Sequence, residues 1–407
     1  MNAAMSALQA ELAGLGSQYL YPNYRQAPLA IVRGEGAVLW DADGKRYMDM
    51  VAGIAVSALG HAHPKLVAAI ADQAARVLHV SNYYYNEPNV RLAQKLCGLT
   101  RMDRAFFCNS GTEAVEASLK LVRRHFHVLG QPERFKVIAF TNSFHGRTLG
   151  ALAATGQDKY KDGFGPLPGA VHVPFGELDA VRAALGPEIA AVIVEPIQGE
   201  GGVLAPPAGF LRALRALTTD TGTLLIADEI QTGIGRTGAF LACEHEGVEP
   251  DVVALAKGLA GGVPIGAMLC KKALEGALPP GSHGSTFGGN PLASRAALTV
   301  LEVLENENLI GRVRELGSLL DKGLNGLLQK HPTKLTAVRG KGLLQAAVLA
   351  DGIDARAAIG ALQARGLLVS IAGGQALRFS PPLVVKPNEL DEALGILDTT
   401  LGELTAP

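Results

Sequence analysis

The segments Leu224–Gln231 (LLIADEIQ) and Asp251–Lys257 (DVVALAK) are the strongest structural signals in this 407-residue chain. In each segment an apolar run of strand length is followed directly by charged residues. Asp228 and Glu229 follow the first run, and Lys257 ends the second. Strands buried on both faces of a parallel sheet read as continuous apolar runs, and α/β proteins place their polar sites where those strands end. We therefore predict two buried strands with a polar site at their carboxyl ends.

Similar apolar runs alternate with helical stretches from His61 to about Glu305. They include Val137–Phe140, Ala191–Val194 and Ala267–Cys270. Such alternation predicts a mostly parallel α/β sheet that helices cover on both faces. We assign residues 61–305 to this large domain.

Smaller units flank the large domain on both sides. The first 60 residues combine a tyrosine-rich arm with a hairpin-like run, Ala37–Trp40, and a turn at Asp41–Gly44. After residue 305 the apolar runs Leu343–Val348, Leu367–Ile371 and Ala376–Phe379 indicate a second α/β unit. The predicted organisation is an arm and small sheet at 1–60 and a C-terminal small domain at 306–407.

The composition limits the partners of this protein. Hydrophobic residues make up 48% of the chain and charged residues 18%, so the chain has ample material for a packed core. Lys and Arg number 37 against 38 Asp and Glu, a balance that draws neither nucleic acid nor an anionic membrane. The four cysteines lie far apart, and the sequence has neither a signal-peptide pattern nor an apolar run of membrane-spanning length. We expect a cytoplasmic protein.

Lys257 and Asp228 are the first candidates for chemistry. A lysine at the end of a buried strand is poorly solvated, and desolvation favours the neutral amine that attacks carbonyls. A buried aspartate such as Asp228 keeps a pyridinium nitrogen protonated, which a pyridine cofactor needs in order to act as an electron sink. The alternatives are a lysine that reaches out to solvent and a metal pair at Asp228 and Glu229. No histidine lies near these acids in sequence, so we rank a metal below a cofactor.

Two glycine-containing segments are candidates for binding phosphate. In Phe106–Glu113 an apolar strand passes through Gly111 into a helix, and Ser110 with Glu113 predicts a capping box. A helix N-terminus of this kind presents backbone N–H groups to an anion, with help from the Thr112 hydroxyl. Capping alone would also explain these residues. The second segment, Gly284–Asn290, is either a phosphate loop or a simple turn.

Two arginines stand in unusual surroundings. Arg147 ends the loop segment Phe144–Arg147, and Arg378 lies within the strand Ala376–Phe379. Because an arginine fork binds a carboxylate through two hydrogen bonds, the pair suits dicarboxylic or amino-acid substrates. Ordinary structural ion pairs are the alternative.

A competing function comes from Gly233–Gly238 (GIGRTG), which matches the dinucleotide pattern G-x-G-x-x-G and follows a predicted strand. Only Ala239–Glu246 is available for the helix that should follow, and the position of the expected ribose-binding acid holds Lys257. A dinucleotide-binding oxidoreductase is therefore the weaker reading. A scaffold protein without a cofactor stays a third alternative.

Together these segments resemble the class III aminotransferases of the fold-type I pyridoxal-phosphate superfamily over nearly the whole chain. The motifs that carry the resemblance are Asn109–Ala114 (NSGTEA), Phe144–Thr148 (FHGRT), Glu195–Glu200 (EPIQGE), Asp228–Gly238 (DEIQTGIGRTG), Lys257 and Ser285–Asn290 (STFGGN). Within that class, Ser81–Asn82, Asn86–Pro88 and Gly156–Tyr160 are similar to the acetylornithine aminotransferases. The resemblance implies a large domain with a mostly parallel seven-stranded sheet, a smaller α/β domain and a homodimer with shared active sites.

The resemblance also implies a role for each matched residue. For pyridoxal 5′-phosphate, Lys257 is the Schiff-base lysine and proton carrier, Asp228 holds the ring nitrogen, Gln231 reaches the ring hydroxyl and Phe144 stacks on the ring. Gly111 and Thr112 hold the phosphate with Thr286 of a neighbouring subunit, and Glu229 and Ile230 complete the cofactor site. For the substrate, the matched residues are Arg147, Ser285, Arg378, which binds the α-carboxylate of glutamate, and Glu200, which covers Arg378 in the other half-reaction.

The implied reaction transfers the terminal amine of N-acetylornithine to 2-oxoglutarate, and yields N-acetylglutamate semialdehyde and glutamate in arginine biosynthesis. Ornithine δ-aminotransferases have a tyrosine seven residues before the histidine that here is His61, and this chain has Ile54. An apolar residue there suits an acylated nitrogen, although 4-aminobutyrate aminotransferases also have isoleucine. Succinylornithine, 4-aminobutyrate, ornithine and a carrier-linked lysine precursor stay as alternative substrates.

Overall fold

The computed structural model describes residues 7–405. Its helices are α1 (Ala7–Tyr19), α2 (Ala52–Ala55), α3 (Pro64–Arg76), α4 (Glu87–Thr100), α5 (Gly111–Val128), α6 (Leu149–Ala154), α7 (Leu178–Ala184), α8 (Phe210–Asp220), α9 (Pro291–Asn306), α10 (Leu309–Lys330), α11 (Ala355–Ala364) and α12 (Pro387–Glu403). Its strands are β1 (Ile31–Glu35), β2 (Val38–Asp41), β3 (Arg46–Asp49), β4 (Arg104–Cys108), β5 (Lys136–Phe140), β6 (Ala170–Val173), β7 (Ile189–Val194), β8 (Leu224–Asp228), β9 (Val252–Leu255), β10 (Gly266–Cys270), β11 (Leu335–Lys341), β12 (Leu344–Leu349), β13 (Leu367–Leu368), β14 (Ser370–Ala372) and β15 (Ala376–Phe379).

The central sheet has seven strands in the order β4-β10-β9-β8-β7-β5-β6. The neighbouring strands β9, β8, β7, β5 and β6 pair in parallel. Strand β10 is antiparallel to both of its neighbours, β4 and β9. This sheet confirms the predicted mostly parallel α/β fold. The predicted strands at Leu224 and Asp251 are direct neighbours, because Ile226–Asp228 pairs with Val252–Ala254.

Both faces of this sheet are covered by apolar residues. In β5, Val137 and Ala139 pack into one core cluster with α5, while Ile138 and Phe140 pack into a second cluster with α8. Successive side chains of a strand point to opposite faces, so a strand that is buried throughout needs a continuous apolar run. This double burial explains why the strands appear as unbroken apolar runs in the sequence.

Two four-stranded sheets lie outside the central one. The sheet β1-β2-β3-β13 joins the N-terminal hairpin to the C-terminal part of the chain, since Leu367 and Leu368 pair with Met48 and Asp49. The sheet β11-β12-β15-β14 is antiparallel and carries Arg378 on β15. The predicted run Leu367–Ile371 is therefore divided between two sheets. The boundaries at residues 60 and 305 stay a prediction.

The N-terminal hairpin forms where the sequence predicts it, with β2 and β3 joined by a turn. Asp41 Oδ1 accepts the N–H groups of Asp43 and Lys45 at 3.0 and 2.9 Å, and Gly44 has a φ of 76°. In the described range 7–405, no helix combines the length and the apolar character needed to cross a membrane.

Candidate active site

A cavity of about 370 Å³ lies at the carboxyl ends of the central parallel strands. Nine of the residues predicted for the site line it: Gly111, Thr112, Phe144, Arg147, Glu200, Asp228, Ile230, Gln231 and Lys257. The segments that supply them follow β4, β5, β7, β8 and β9. A larger cleft of about 900 Å³ under α1 is lined by none of these residues. The smaller cavity is therefore the candidate active site.

Lys257 is half-buried in the wall of this cavity, two residues after the end of β9. Its φ is 42°, a left-handed conformation that costs energy in any residue with a Cβ. Burial lowers the pKa of Lys257. The negative charge of Glu200 raises this pKa and the positive charge of Arg378 lowers it, so the net shift is downward. The lowered pKa makes the neutral amine more accessible near pH 7 than in a solvated lysine.

Asp228 ends β8 and is 3% exposed. Its Oδ2 lies 2.6 Å from His145 Nδ1, and its Oδ1 accepts the N–H of Ile230 at 3.2 Å. His145 was missed as a site residue because it is 83 positions away in sequence, although it lies inside the quoted motif Phe144–Arg147. Its Nε2 is buried and has no hydrogen-bond partner within residues 7–405. A histidine therefore contacts Asp228 in the fold, although none lies near Asp228 in sequence. Residues 7–405 contain no group of side chains suited to bind a metal ion.

Glu195 is a second carboxyl group that sequence reasoning missed. It follows β7, lines the cavity and accepts the N–H of Phe144 at 3.0 Å through Oε2. Burial raises the pKa of Glu195 well above its ordinary value, and the nearby Asp228 raises it further. Its position directly after a buried strand is the same signal that identified Asp228.

Glu229 is a correction to the predicted cofactor site. Its side chain is fully buried away from the cavity, where Oε2 accepts the Thr232 hydroxyl and Oε1 accepts the N–H of Cys243 at 2.8 Å. The physical reason is the alternation of side chains along a strand, which sends consecutive residues to opposite sides. Because Asp228 faces the cavity, Glu229 faces the interior, and burial raises its pKa.

The predicted phosphate-binding turn lies at the start of α5. Ser110 caps the helix by accepting the N–H of Glu113 at 3.4 Å. The capping box differs from the prediction, because the Glu113 carboxylate accepts the N–H of Asn109 at 2.9 Å and the Ser110 hydroxyl at 3.0 Å. The first N–H groups of a helix have no acceptor inside it, so those of Gly111 and Thr112 can donate to an anion that binds in the cavity.

Close packing shapes the wall around this turn. A methyl group added to Gly146 would lie 2.2 Å from the Thr112 hydroxyl, and one added to Gly111 would lie 2.9 Å from the Ile230 side chain. Only glycine fits at these two contacts. Ile230 thereby braces the helix N-terminus against the strand that carries Asp228.

Phe144 and Arg147 form the side of the cavity next to Tyr160. The rings of Phe144 and Tyr160 meet edge to face at 5.8 Å, and the Arg147 guanidinium lies 3.9 Å from the Tyr160 ring centre. Cation–π contact of this kind orients a guanidinium without neutralising its charge. Arg147 therefore keeps its charge available to a carboxylate.

Arg378, Glu200 and Gln231 form one buried network. Arg378 is 2% exposed, and its Nη1 donates to Glu200 Oε1 at 2.5 Å and to Gln231 Oε1 at 3.1 Å. Gln231 Nε2 also donates to Glu200 Oε1 at 3.3 Å. Burial alone would raise the pKa of Glu200, but Arg378 lowers it below its ordinary value. In this structure Gln231 serves the ion pair, so its predicted contact with a ring hydroxyl stays a prediction.

Ser285 and Thr286 lie outside this chain's own cavity. Ser285 Oγ accepts the Asn109 side-chain amide at 3.2 Å and the N–H of Gly288 at 3.1 Å. Thr286 is exposed beside Phe287, whose ring is 60% exposed. The placement of Thr286 agrees with a residue that acts in a neighbouring subunit's site, a role that stays a prediction.

The glycine motif Gly233–Gly238 lies in a buried loop after β8 and leads into a short 3₁₀ turn at Ala242–Glu246. A dinucleotide site requires the glycines to open an α-helix that points at a pyrophosphate. In the described part of the chain, no α-helix follows the motif before β9 begins. The dinucleotide reading therefore loses its structural basis.

Comparison with known proteins places this arrangement in a family. The family model for aminotransferase class-III matches residues 19–401. An acetylornithine aminotransferase from Myxococcus xanthus is 50% identical over 376 residues, which cover 92% of this chain and 93% of the relative.

Comparison with solved structures also finds aminotransferases. An acetylornithine aminotransferase from Elizabethkingia anophelis superposes with a TM-score of 0.87 at 35% identity, over 97% of this chain and 99% of that one. An ornithine aminotransferase from Toxoplasma gondii, described with PLP at its active site, superposes with a TM-score of 0.93 at 35% identity, over 99% of both chains. The chain belongs to the class III aminotransferases and is a pyridoxal-phosphate-dependent transaminase that acts on amino-acid substrates.

Proposed function

We propose that this transaminase moves the terminal amino group of N-acetylornithine to 2-oxoglutarate and yields N-acetylglutamate semialdehyde and glutamate. The observation that supports the proposal is the buried pair Arg378–Glu200, of which Glu200 lines the cavity that also contains Lys257. The acetylornithine aminotransferase identity of close relatives supports the same substrate.

The residues of the cavity fit pyridoxal 5′-phosphate. Asp228 offers a buried carboxylate to a protonated ring nitrogen, Phe144 offers an aromatic face, and Gly111 with Thr112 offers N–H groups to a phosphate. Gly111 and Gly146 allow the helix N-terminus to pack closely against Ile230 and against the Phe144–Arg147 loop, where a Cβ would collide. When bound, the cofactor stabilises the negative charge that develops on the substrate carbon after proton removal.

The chain's own residues hold the charges and move the proton. Lys257 Nζ, whose pKa is lowered, takes the proton from the amino-bearing carbon of the donor and would deliver it to the cofactor carbon that bears the transferred nitrogen. The Asp228 carboxylate, oriented by His145 and by the N–H of Ile230, fixes a negative charge at the strand end. Arg147 and Arg378 bind carboxylates of the substrates.

One pocket must accept two different donors. N-acetylornithine presents a terminal amine with no carboxylate near the reacting carbon, whereas glutamate presents an α-amine beside a carboxylate. While Glu200 neutralises Arg378, the first donor enters without facing an unpaired buried charge. When glutamate enters, its α-carboxylate competes for the arginine fork.

Replacing Glu200 by glutamine tests this switch. Glutamine keeps the size and an acceptor oxygen but removes the negative charge that compensates Arg378. We expect kcat/KM for N-acetylornithine to fall by about 10-fold or more, the size of a lost buried ionic contact, while kcat/KM for glutamate falls less. Steady-state kinetics with each donor measure the ratio. An unchanged ratio between the two donors would rule the switch out.

The substrate assignment is tested by comparing amino donors at saturating 2-oxoglutarate. We expect N-acetylornithine to give the highest kcat/KM, ahead of ornithine and 4-aminobutyrate, because Ile54 holds the position at which ornithine δ-aminotransferases have a tyrosine and has no polar group for a free α-amine. Succinylornithine and a carrier-linked lysine precursor belong in the same panel. If any other donor exceeds N-acetylornithine, that donor replaces it in the proposal.

We propose further that the active site is completed in a homodimer. Thr286 and Phe287 are exposed together, and the neighbouring residues Tyr83, Tyr84 and Tyr85 form an exposed aromatic stretch. Asn82 Nδ2 links the two segments by donating to the Ser285 carbonyl at 2.9 Å. A second copy would cover this surface and place Thr286 in its partner's site. A fully active monomer in size-exclusion chromatography would contradict the dimer.

A further inference from the structure

The short segment α2 (Ala52–Ala55) is a left-handed turn. All four residues have positive φ: 48° at Ala52, 63° at Gly53, 65° at Ile54 and 62° at Ala55. Only glycine adopts this conformation without strain, and a β-branched residue such as Ile54 adopts it rarely. Such outliers persist only where the surrounding structure holds them, and they cluster at functional sites.

Asp49 holds one end of the turn. The Asp49 side chain is buried, and its Oδ1 accepts the N–H groups of Val51 and Ala52, both at 2.9 Å. Its Oδ2 lies 2.8 Å from His61 Nε2, which joins the carboxylate to the far side of the same segment. A single carboxylate thus fixes the entry to the turn and the chain that leaves it.

Ser380 ties the turn to the strand of Arg378. Its hydroxyl donates to the Val51 carbonyl at 3.0 Å, and its N–H donates to the Met50 carbonyl at 2.8 Å. Ser380 directly follows β15, two residues after Arg378. The turn and the arginine of the ion pair are therefore parts of one hydrogen-bonded unit.

The other side of the turn packs against the catalytic lysine's own segment. Val56, which follows the turn, lines the cavity. A methyl group added to Gly258 would lie 3.7 Å from the Ala55 carbonyl and 3.6 Å from Ala58 Cβ, so the backbone after Lys257 rests on the turn. Two left-handed segments, at residues 52–55 and at Lys257, thus meet at the edge of the site.

We propose that Asp49 is a positioning residue for substrate binding. Its carboxylate fixes the left-handed turn, and the fixed turn positions Val56 in the cavity wall. Through Ser380 the turn also positions the strand of Arg378, which pairs with the cavity residue Glu200. The identity of the amino donor that contacts this wall rests on the proposed function. The positioning role of Asp49 requires only that the protein is a transaminase. Ile54 is 45% exposed, so the strain at this residue is not compensated by deep burial of its side chain.

The experiment compares Asp49→Ala with Asp41→Ala. Asp41 is a matched control, because its buried carboxylate also accepts two backbone N–H groups through Oδ1, and one side-chain group, the Tyr47 hydroxyl, at 2.7 Å through Oδ2. It lies in the hairpin turn, outside the site. We expect similar losses of thermal stability, but a KM for the amino donor raised at least 10-fold only in Asp49→Ala. The affinity for pyridoxal phosphate should change less than threefold in both variants.

Asp49→Asn should restore KM to near the wild-type value, because an amide oxygen still accepts both N–H groups. The donor in every comparison is the one that wild type turns over fastest, so a failure of the N-acetylornithine assignment leaves this test intact. An unchanged KM in Asp49→Ala, or an equal rise in Asp41→Ala, would overturn the proposal.

A second pair of variants covers the case in which Asp49→Ala does not fold. Ile54→Ala and Ile54→Gly both remove the side chain, but only glycine also relieves the positive φ. We expect Ile54→Gly to melt at a higher temperature than Ile54→Ala and to have a KM at least threefold higher, since a relaxed turn positions the wall less well. Equal melting temperatures or equal KM values would contradict a strained positioning element.

Discussion

Lys257→Ala is expected to lower turnover by at least about 10³-fold, within the range that one general acid–base group supplies. Lys257 is the lysine of the cavity wall, burial lowers its pKa, and its amine is the group placed to move the substrate proton. The variant should still fold, because alanine adds no bulk to the cavity and removes a partly buried charge.

The measurement is steady-state turnover with saturating pyridoxal phosphate. The matched control is Lys272→Ala, which removes an exposed lysine fifteen positions along the chain and should keep wild-type turnover. Turnover of Lys257→Ala within 10-fold of wild type would show that another group moves the proton.

Asp228→Asn is expected to lower kcat by roughly 10²–10³-fold, the size typical of removing one preorganised electrostatic contact. Asparagine keeps the shape and can still meet His145 and the N–H of Ile230, but it no longer offers a negative charge to a protonated ring nitrogen. Because the charge acts after the cofactor has bound, kcat should fall much more than the affinity for pyridoxal phosphate.

Glu229→Gln provides a control one residue away. Glutamine can keep the contacts with Thr232 and with the Cys243 N–H, and the side chain faces away from the cavity. We expect kcat within threefold of wild type. Equal losses in the two variants would contradict the placement of Asp228 at the ring and the correction at Glu229.

The parallel core was predictable because its physical requirement is local. A strand buried on both faces must be apolar along its whole length, so β7 and β8 appear in the sequence without reference to their neighbours. The charges that end these strands then mark the site, since carboxyl ends of parallel strands meet at one edge of a sheet. This rule marked Asp228 and Lys257 as candidates, and the family resemblance supplied their roles.

Long-range pairs were not predictable in the same way. The contact between His145 and Asp228 joins residues 83 positions apart, and the Arg378–Glu200 pair joins residues 178 positions apart. The resemblance supplied the pairing of Glu200 with Arg378, but no local pattern indicates that His145 meets Asp228. Glu229 shows the opposite case, because strand alternation alone would have placed it away from the cavity, whereas the resemblance assigned it to the cofactor site.

The left-handed turn at residues 52–55 has the weakest signal in the sequence. Gly53 is the only residue there that favours positive φ, and the alanines and Ile54 do not. The conformation follows from tertiary contacts with Asp49 and Ser380, which local propensity does not contain. Such conflict between local preference and fold is what we expect where function requires strain.

The most direct test of the central claim is the absorption spectrum of purified protein, followed during separate additions of N-acetylornithine, glutamate, ornithine and 4-aminobutyrate. We predict a near-visible cofactor band that is lost with N-acetylornithine and with glutamate, changes little with the other two amines, and differs in Lys257→Ala. A protein with no such band even after addition of pyridoxal phosphate, or a band that all four amines remove equally, would contradict the account.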